Sequence, residues 1–171
     1  MDNLKSKIRH VPDFPKAGIL FYDVTTLLRD AEGFRATVDA MAAPYQGRGI
    51  QTVVGIESRG FILGAAVADR LSTGFVPVRK LGKLPAATIR ATYDLEYGSD
   101  TLEMHRDGVD PGQRVLIVDD LLATGGTARA TVELVRQAGG EVAGLAFLIE
   151  LVGLGGRARL EGEEVMAVLR Y

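Results

Sequence analysis

The amino-acid sequence predicts an α/β fold in which a central parallel sheet is flanked by helices. Short runs rich in β-branched residues alternate along the chain with amphipathic helical stretches, which is typical of such sheets. The length of 171 residues suits one compact domain, residues 1–171. Hydrophobic residues make up 47% and charged residues 25% of the chain, so a disordered, collagen-like or coiled-coil protein is excluded.

The sheet is predicted from five apolar runs. Residues 115–118, Val-Leu-Ile-Val, are apolar without interruption and therefore typical of a central strand that is buried on both faces. Pro77 indicates a strand near an edge of the sheet, because proline has no amide hydrogen for the ladder. In chain order the five runs are 52–56, 75–78, 115–118, 142–149 and 165–169.

Three helices are predicted between the strands. Over residues 32–45 apolar side chains recur at helical spacing. Residues 61–71 are nearly all apolar and predict a buried helix. Residues 127–138 combine an apolar stripe with a charged, solvated face, and the two glycines that follow indicate a C-cap.

Two segments interrupt the α/β alternation. Residues 12–28 contain prolines and a glycine before an apolar triplet, which predicts an irregular cap within a small N-terminal hood at about 1–28. Residues 79–106 carry two extended pieces, 88–97 and 101–105, around a Gly-Ser-Asp turn. They predict a flexible β-hairpin that projects from the sheet.

Composition excludes several classes of function. The formal net charge of −2 lacks the positive field that non-specific binding to nucleic acid or to an anionic membrane requires. Without cysteine the chain has no disulfide, thiolate zinc site, iron–sulfur cluster or catalytic thiol, in agreement with a reducing cytoplasm. No apolar leader and no run of about 18 apolar residues occur, so we expect a cytoplasmic protein that does not cross a membrane.

The segment from 115 to 127 carries the strongest functional signal: a buried strand, two carboxylates, a loop of small residues and the start of a helix. Ligands of open α/β folds bind where parallel strands end. The Thr-Gly-Gly-Thr run at 124–127 can direct backbone amides and hydroxyls at an anion, and the helix adds its positive N-terminal dipole. The segment therefore predicts a site for a monophosphate.

Asp119 and Asp120 are interpreted as acceptors for vicinal sugar hydroxyls. No lysine, histidine or metal-binding pair lies near them in sequence, and carboxylates can also stabilise positive charge that develops on a ribose ring. The alternative is an aspartate N-cap followed by an ordinary glycine-rich turn. That alternative explains one carboxylate, but it explains Asp-Asp and Thr-Gly-Gly-Thr together poorly.

The same segment resembles the motif with which type I phosphoribosyltransferases bind 5-phosphoribosyl 1-diphosphate (PRPP). Further segments are similar to the members of that family that use adenine: Phe-Pro-Lys-Ala-Gly-Ile-Leu-Phe at 14–21, Glu-Ser-Arg-Gly-Phe at 57–61, Arg-Lys-Leu-Gly-Lys-Leu-Pro at 79–85 and Tyr-Asp-Leu-Glu-Tyr-Gly at 93–98. The resemblance covers essentially the whole chain. It implies transfer of the 5-phosphoribosyl group from PRPP to adenine, giving AMP and diphosphate in purine salvage. It also implies a homodimer, and Mg²⁺ that is carried by PRPP without a metal site of the protein.

The resemblance assigns roles to the matching residues. Asp119 and Asp120 would hold the ribose hydroxyls next to the reacting carbon. Residues 57–60, the diphosphate loop, often contain a cis non-proline peptide in this family and would bind through Ser58, Arg59 and Gly60, with Arg59 also near the purine. The loop that would cradle the 5-phosphate consists of Ala123, Thr124, Gly125, Gly126 and Thr127.

A group of positive residues lies between positions 79 and 93, a stretch without any acidic residue. For Arg79, Lys80 and Lys83 the resemblance implies binding of the diphosphate, which needs several cations. It also implies that Arg79 lies near the active site of the neighbouring subunit. For Arg90 a position in a solvated loop is the favoured interpretation.

Glu96 and Tyr97 match family residues that close over the reaction centre. Glu96 is predicted to share or donate a proton near N7 of the purine as the glycosidic bond forms or breaks. A cross-strand ion pair with Arg90 is the alternative role of Glu96. The residues themselves leave both roles open.

The hood carries the predicted adenine site. Phe21 would form an apolar face against the purine, and packing within the hood is its alternative role. In the family, backbone groups around Leu20 and Tyr22 read the edge of the base. Tyr22 stands where the family has the arginine of Phe-Arg-Asp, so adenine specificity is expected from the backbone, and no side-chain contact is inferred at position 22.

Other patterns do not support a second function. Residues 153–158 match the dinucleotide-binding fingerprint, but no strand–helix–strand unit follows, so we reject this interpretation. His10 and His105 are isolated and predict no metal site. A purine- or PRPP-sensing regulator without catalysis is the alternative from another class. Such regulators usually add a DNA-binding module, and no basic recognition helix precedes the first core strand.

Overall fold

The hood begins the chain, and it is more regular than its composition predicts. The computed structural model describes residues 2–94 and 98–171. The elements of the hood are α1 (Asp2–Lys5), β1 (Arg9–Pro12), β2 (Leu20–Asp23) and α2 (Thr25–Leu28). Strands β1 and β2 pair antiparallel, with Pro12 opposite Leu20. The prediction of an irregular cap over 12–28 is therefore wrong for β2 and α2, because pairing with β1 orders a segment whose composition is typical of loops.

Seven further strands form one mixed sheet. They are β3 (Thr52–Ile56), β4 (Gly74–Lys80), β5 (Thr88–Asp94), β6 (Ser99–His105), β7 (Arg114–Leu122), β8 (Glu141–Glu150) and β9 (Val165–Arg170). Their order across the sheet is β5-β6-β4-β3-β7-β8-β9. All five predicted runs lie within strands, and the predicted parallel sheet is confirmed for β4, β3, β7, β8 and β9.

Pro77 lies inside β4 and is tolerated because the strand is paired on only one side at this position. On one side β4 pairs with β3 from Gly74 to Val78, and Pro77 faces Gly55 in that register. On the other side β6 pairs with β4 at Arg79 and Lys80, the last two residues of the strand. The missing amide hydrogen of Pro77 therefore falls where the ladder with β6 has not yet begun, as an edge position predicts.

Helices cover the two faces of the sheet. They are α3 (Ala31–Ala42), which continues into a 3₁₀ turn, α4 (Arg59–Leu71) and α5 (Gly126–Gln137). Gly139 has φ of 87° after α5, which confirms the predicted C-cap. The predicted burial of α4 is wrong for its outer face, where Ile62 is 48% exposed. Ile62 stays exposed because α3 and the sheet contact the opposite side of the helix.

Alternation along the central strands divides the core into two layers. In β3, Val53 packs with residues of α3 and α4, whereas its neighbour Val54 packs on the side of α5. In β7, Leu116 and Ile117 are divided in the same way. The central runs of both strands are apolar without interruption because both faces of the sheet are buried there. The ends of these strands are consequently held between two layers of helix.

The hairpin is formed by β5 and β6. Asp94 pairs with Ser99, so Ser99 and Asp100, which were predicted in the turn, belong to a strand. Residues 95–97 lie outside the described residues, and so do the predicted roles of Glu96 and Tyr97. Among the helices within 2–94 and 98–171, none is long and apolar enough to cross a membrane.

Candidate functional site

A cavity of about 400 Å³ lies where β7 ends and α5 begins. All five residues of the predicted phosphate loop, residues 123–127, line it. Five other described residues line it as well, and none of them was predicted from sequence as part of the phosphate site: Tyr93, Asp94, Leu121, Leu122 and Arg159. We call this space the phosphate cavity.

Two glycines allow the phosphate loop to turn into the helix. Gly125 precedes α5 with φ of 83°, a left-handed conformation that glycine adopts without strain. A Cβ atom on Gly126 would lie 3.0 Å from the ring of Tyr93, so a side chain there would narrow the cavity. The first amides of a helix have no partners within the helix and lie at the positive end of its dipole. The loop can therefore hold an anion.

Gly156 supports this loop. A Cβ atom on Gly156 would lie 2.2 Å from the carbonyl oxygen of Ala123, and a Cβ atom on Gly125 would lie 2.5 Å from the carbonyl oxygen of Gly156. The two backbones thus touch, and a side chain on either glycine would separate them. Gly153 and Gly155 make no such approach, since nothing lies within 4 Å of a Cβ atom on either.

Asp119 and Asp120 lie within β7, which continues four residues beyond the predicted end of the strand at Val118. Their exposed fractions are 7% and 6%. Burial raises the pKa of Asp119 well above its usual range, and the charge of Asp120 raises it further. The N-cap of α5 is Gly125, and no side chain of the described residues caps that helix, so the alternative of an aspartate N-cap is wrong.

Arg59 connects the carboxylates with the diphosphate loop. Its Nε atom lies 2.7 Å from Oδ2 of Asp120. The loop follows β3, and the peptide between Glu57 and Ser58 is cis. A Cβ atom on Gly60 would lie 2.7 Å from Oδ1 of Asp119, so the start of α4 can approach β7 only with glycine at this position.

The positive residues of 79–83 are held by carboxylates from other parts of the chain. Nε of Arg79 lies 2.8 Å and Nζ of Lys83 lies 3.6 Å from the Glu57 carboxylate, while Nζ of Lys80 lies 3.1 Å from Asp100. Burial raises the pKa of Glu57, but the hydrogen bond from Arg79 and the nearby charges outweigh it, so the pKa is lowered. The absence of acidic residues in the local sequence therefore does not leave these cations unpaired.

The sequence context of Arg90 predicted a solvated loop, and this prediction is wrong. It lies in β5 directly opposite Glu103 of β6. Its Nε atom donates to the Glu103 carboxylate at 2.8 Å, and Glu103 is only 2% exposed. Glu103 also accepts hydrogen bonds from the amide of Gly82 and the hydroxyl of Thr88. Arg90 therefore belongs to the network that fixes the base of the hairpin.

A second cavity of about 360 Å³ lies between the hood and the start of α4. Its lining joins the predicted residues Phe21 and Arg59 with residues that were not predicted: Val11, Phe14, Asp23 and Thr25. The guanidinium of Arg59 lies over the ring of Phe21, 5.5 Å from its centroid. We call this space the base cavity. Leu20 and Tyr22 are not among the described side chains that line it, which leaves backbone contacts as their predicted role.

The family of the chain follows from comparison with known proteins. The sequence model of the phosphoribosyl transferase domain matches residues 26–165, a range that contains the diphosphate loop, the paired aspartates and the phosphate loop. The chain belongs to the phosphoribosyltransferase family. The expected α/β architecture of this family, with its hood and hairpin, is the one described above.

Individual phosphoribosyltransferases resemble the chain over nearly its full length. An adenine phosphoribosyltransferase of Acidobacterium capsulatum is 64% identical, over 98% of this chain and 93% of its own. A solved adenine phosphoribosyltransferase of Rhodothermus marinus has a TM-score of 0.96 and 57% identity, over 99% and 97% of the two chains. The Saccharomyces cerevisiae enzyme, solved with an imino-altritol bisphosphate and adenine, has a TM-score of 0.93 and 41% identity, over 98% and 97%.

Proposed function

We propose that the chain transfers the 5-phosphoribosyl group of PRPP to N9 of adenine, forming AMP and diphosphate in purine salvage. The observation that carries this proposal is the position of Arg59. Its guanidinium forms an ion pair with Asp120 and also lies over Phe21 in the base cavity. A sugar-binding carboxylate and an apolar base site are thus adjacent, as the formation of a glycosidic bond requires.

The arrangement supports a role for each group in the reaction. The 5-phosphate would lie in the phosphate cavity, and the ribose hydroxyls would lie on Asp119 and Asp120. As the bond from C1 to the diphosphate oxygen breaks, the electron pair leaves with diphosphate, and positive charge develops at C1 near the carboxylates. N9 of adenine then bonds to C1 and loses its proton. Proton transfer at N7 by Glu96, with Tyr97 closing over the centre, stays a prediction.

Diphosphate would compete with Glu57 for its cations. Arg79 and Lys83 both lie against that carboxylate, and Lys80 lies against Asp100. These ion pairs are partly exposed to water and therefore weak. A diphosphate with several negative charges can replace Glu57 and Asp100 as their partner, with Ser58, Arg59 and Gly60 on its other side.

Mg²⁺ is proposed as the cofactor, carried by PRPP. Within the described residues, no group of three or more histidine, cysteine, aspartate and glutamate side chains is arranged to hold a metal ion. Mg²⁺ usually keeps several waters and binds substrate phosphates together with one or two carboxylates, so Asp119 and Asp120 fit this mode. When bound, the ion would neutralise charge on the departing diphosphate.

We further propose that the chain acts in the cytoplasm as a homodimer of single-domain subunits. The exposed apolar side chains of Ile62 and Leu81, at 48% and 52% exposure, support burial against a second copy. Arg79 would then lie near the neighbouring active site. Sedimentation of the purified chain tests the dimer, and a fully active monomer would remove this role of Arg79.

An assay with a panel of bases tests the reaction. Purified protein with PRPP and Mg²⁺ is given adenine, hypoxanthine or guanine, and nucleotide and diphosphate are both measured. We expect equal amounts of AMP and diphosphate with adenine, little product with the other bases, and loss of turnover after chelation of Mg²⁺. Equal activity on hypoxanthine would contradict the base assignment, and ligand binding without product would support the non-catalytic regulator instead.

A further inference from the structure

Arg159 lines the phosphate cavity from a part of the chain that no sequence motif connects with the site. It belongs to the 3₁₀ segment Gly156–Leu160. A Cβ atom on Gly126 would lie 3.6 Å from Nη1 of Arg159, and a Cβ atom on Gly125 would lie 3.3 Å from Cβ of Arg159. The arginine therefore stands directly beside the start of α5.

The backbone that carries Arg159 is anchored on both sides. Arg157 donates two hydrogen bonds to the Glu150 carboxylate, at 3.0 and 2.7 Å, and a third to the carbonyl oxygen of Val165 at 2.7 Å. Leu160 is buried in the core beneath α5. The position of Arg159 at the cavity wall is thus set by its neighbours, since its own side chain forms no hydrogen bond or ion pair with the described residues.

The guanidinium of Arg159 has no carboxylate partner within residues 2–94 and 98–171. Arg157, two residues earlier, is paired with Glu150. Asp94 lines the same cavity as Arg159 but forms no ion pair with it. An arginine that is exposed in a cavity beside the positive end of a helix is repelled by that end unless an anion lies between them. The local charges therefore favour a negatively charged ligand in contact with Arg159.

We propose that Arg159 binds the 5-phosphate of PRPP and of AMP. The other predicted donors in this cavity are backbone amides and the hydroxyls of Thr124 and Thr127, which carry no net charge. A guanidinium can form two parallel hydrogen bonds with a phosphate and neutralises part of its charge. The identity of the ligand rests on the proposed function, whereas the contact between Arg159 and a phosphate group is tested separately below.

The test compares ligands with and without the phosphate by titration calorimetry. AMP, adenosine and ribose 5-phosphate are titrated into the wild type, Arg159→Ala, Arg159→Lys and the control Arg35→Ala, which removes an exposed arginine of α3. We expect Arg159→Ala to weaken the binding of AMP and of ribose 5-phosphate about tenfold or more, because a charge-assisted contact is lost. Binding of adenosine stays unchanged, Arg159→Lys is intermediate, and Arg35→Ala equals the wild type.

Two outcomes would overturn the proposal. One is retention of wild-type affinity for both phosphate ligands in Arg159→Ala. The other is an equal loss for adenosine, which would indicate a change in the shape of the site. The melting temperature should not move, because Arg159 stabilises no described neighbour. If the wild type forms no AMP from PRPP and adenine, the proposed function is wrong, and binding of ribose 5-phosphate then decides on Arg159 by itself.

Discussion

The ring of Tyr22 lies against the ring of Tyr171, with their centroids 4.3 Å apart. His10 of β1 meets both rings edge-on, at 5.1 and 5.8 Å. The Tyr22 side chain therefore points away from the base cavity and packs β2 against the residue that follows β9. Tyr22 stands where the family resemblance predicts an arginine. Its aromatic contact stabilises β2, the strand that is proposed to contact the edge of adenine.

Replacement of Tyr171 tests whether this contact positions the adenine site. We expect Tyr171→Ala to destabilise the protein by about 2 kcal/mol and to raise KM for adenine severalfold, with little change in KM for PRPP. Tyr171→Phe is the matched control, because the Tyr171 hydroxyl is buried without a hydrogen-bond partner among the described residues. Steady-state kinetics and thermal melts check both. Equal increases in the two KM values would assign Tyr171 to general stability.

Gly156→Ala tests the contact beneath the phosphate loop. Its Cβ atom would lie 2.2 Å from the Ala123 carbonyl oxygen, so the loop must move. We expect KM for PRPP to rise at least tenfold while KM for adenine stays near its wild-type value. Gly153→Ala is the control, since nothing lies within 4 Å of a Cβ there. An unaltered KM for PRPP in Gly156→Ala would show that the loop does not depend on this support.

Asp119→Asn and Asp120→Asn separate activity from stability. Each variant keeps the size of the side chain but replaces a carboxyl oxygen, which is an acceptor for a ribose hydroxyl beside C1, by an amide nitrogen, so we expect kcat/KM to fall tenfold or more. Asp120→Asn also loses the ion pair with Arg59, at a cost of at most about 1 kcal/mol because Arg59 is partly exposed. Near-normal turnover in both variants would remove these carboxylates from the mechanism.

The raised pKa of Asp119 adds a dependence on pH to the same experiment. Because the folded state holds this proton more tightly than the unfolded chain, the carboxyl favours folding below its unfolded pKa and loses that contribution as pH rises through the folded pKa. Asparagine does not titrate. We therefore expect Asp119→Asn to gain stability relative to the wild type as the pH rises above the ordinary aspartate pKa of about 4, measured by urea unfolding. A difference in stability that does not change with pH would contradict the buried, proton-holding state.

Sequence alone locates the segments of the proposed phosphate and diphosphate loops at the junctions of β7 with α5 and of β3 with α4, because each is a continuous segment between a strand and a helix. The apolar run of β7 and the Thr-Gly-Gly-Thr segment lie within a few residues of each other, so the sequence pattern alone predicts a strand, a loop and the start of a helix. The parallel order of the strands follows in the same way from alternating strands and helices. These parts of the site depend on neighbours in sequence.

The parts that sequence does not reveal depend on neighbours in space. Arg159 reaches the phosphate cavity through the packing of Gly156 on Ala123, and no local pattern encodes that contact. The pairing of Arg90 with Glu103 arises from the register of β5 and β6. The order in the hood likewise comes from the pairing of two strands of four residues, each too short to be distinguished from a loop by periodicity.

Lys83 distinguishes the diphosphate site from the base site. Its Nζ atom lies 3.6 Å from Glu57 in a partly exposed ion pair, which a diphosphate can replace. We expect Lys83→Ala to weaken the binding of PRPP and of diphosphate about tenfold and to leave KM for adenine unchanged. Arg35→Ala is again the control. Mg²⁺ and PRPP together should slow proteolysis within residues 79–106 of the wild type, and this protection should be smaller in Lys83→Ala, since the lost contact joins the hairpin to the ligand. Protection that is equal in both proteins, or a change confined to adenine, would exclude Lys83 from the diphosphate site.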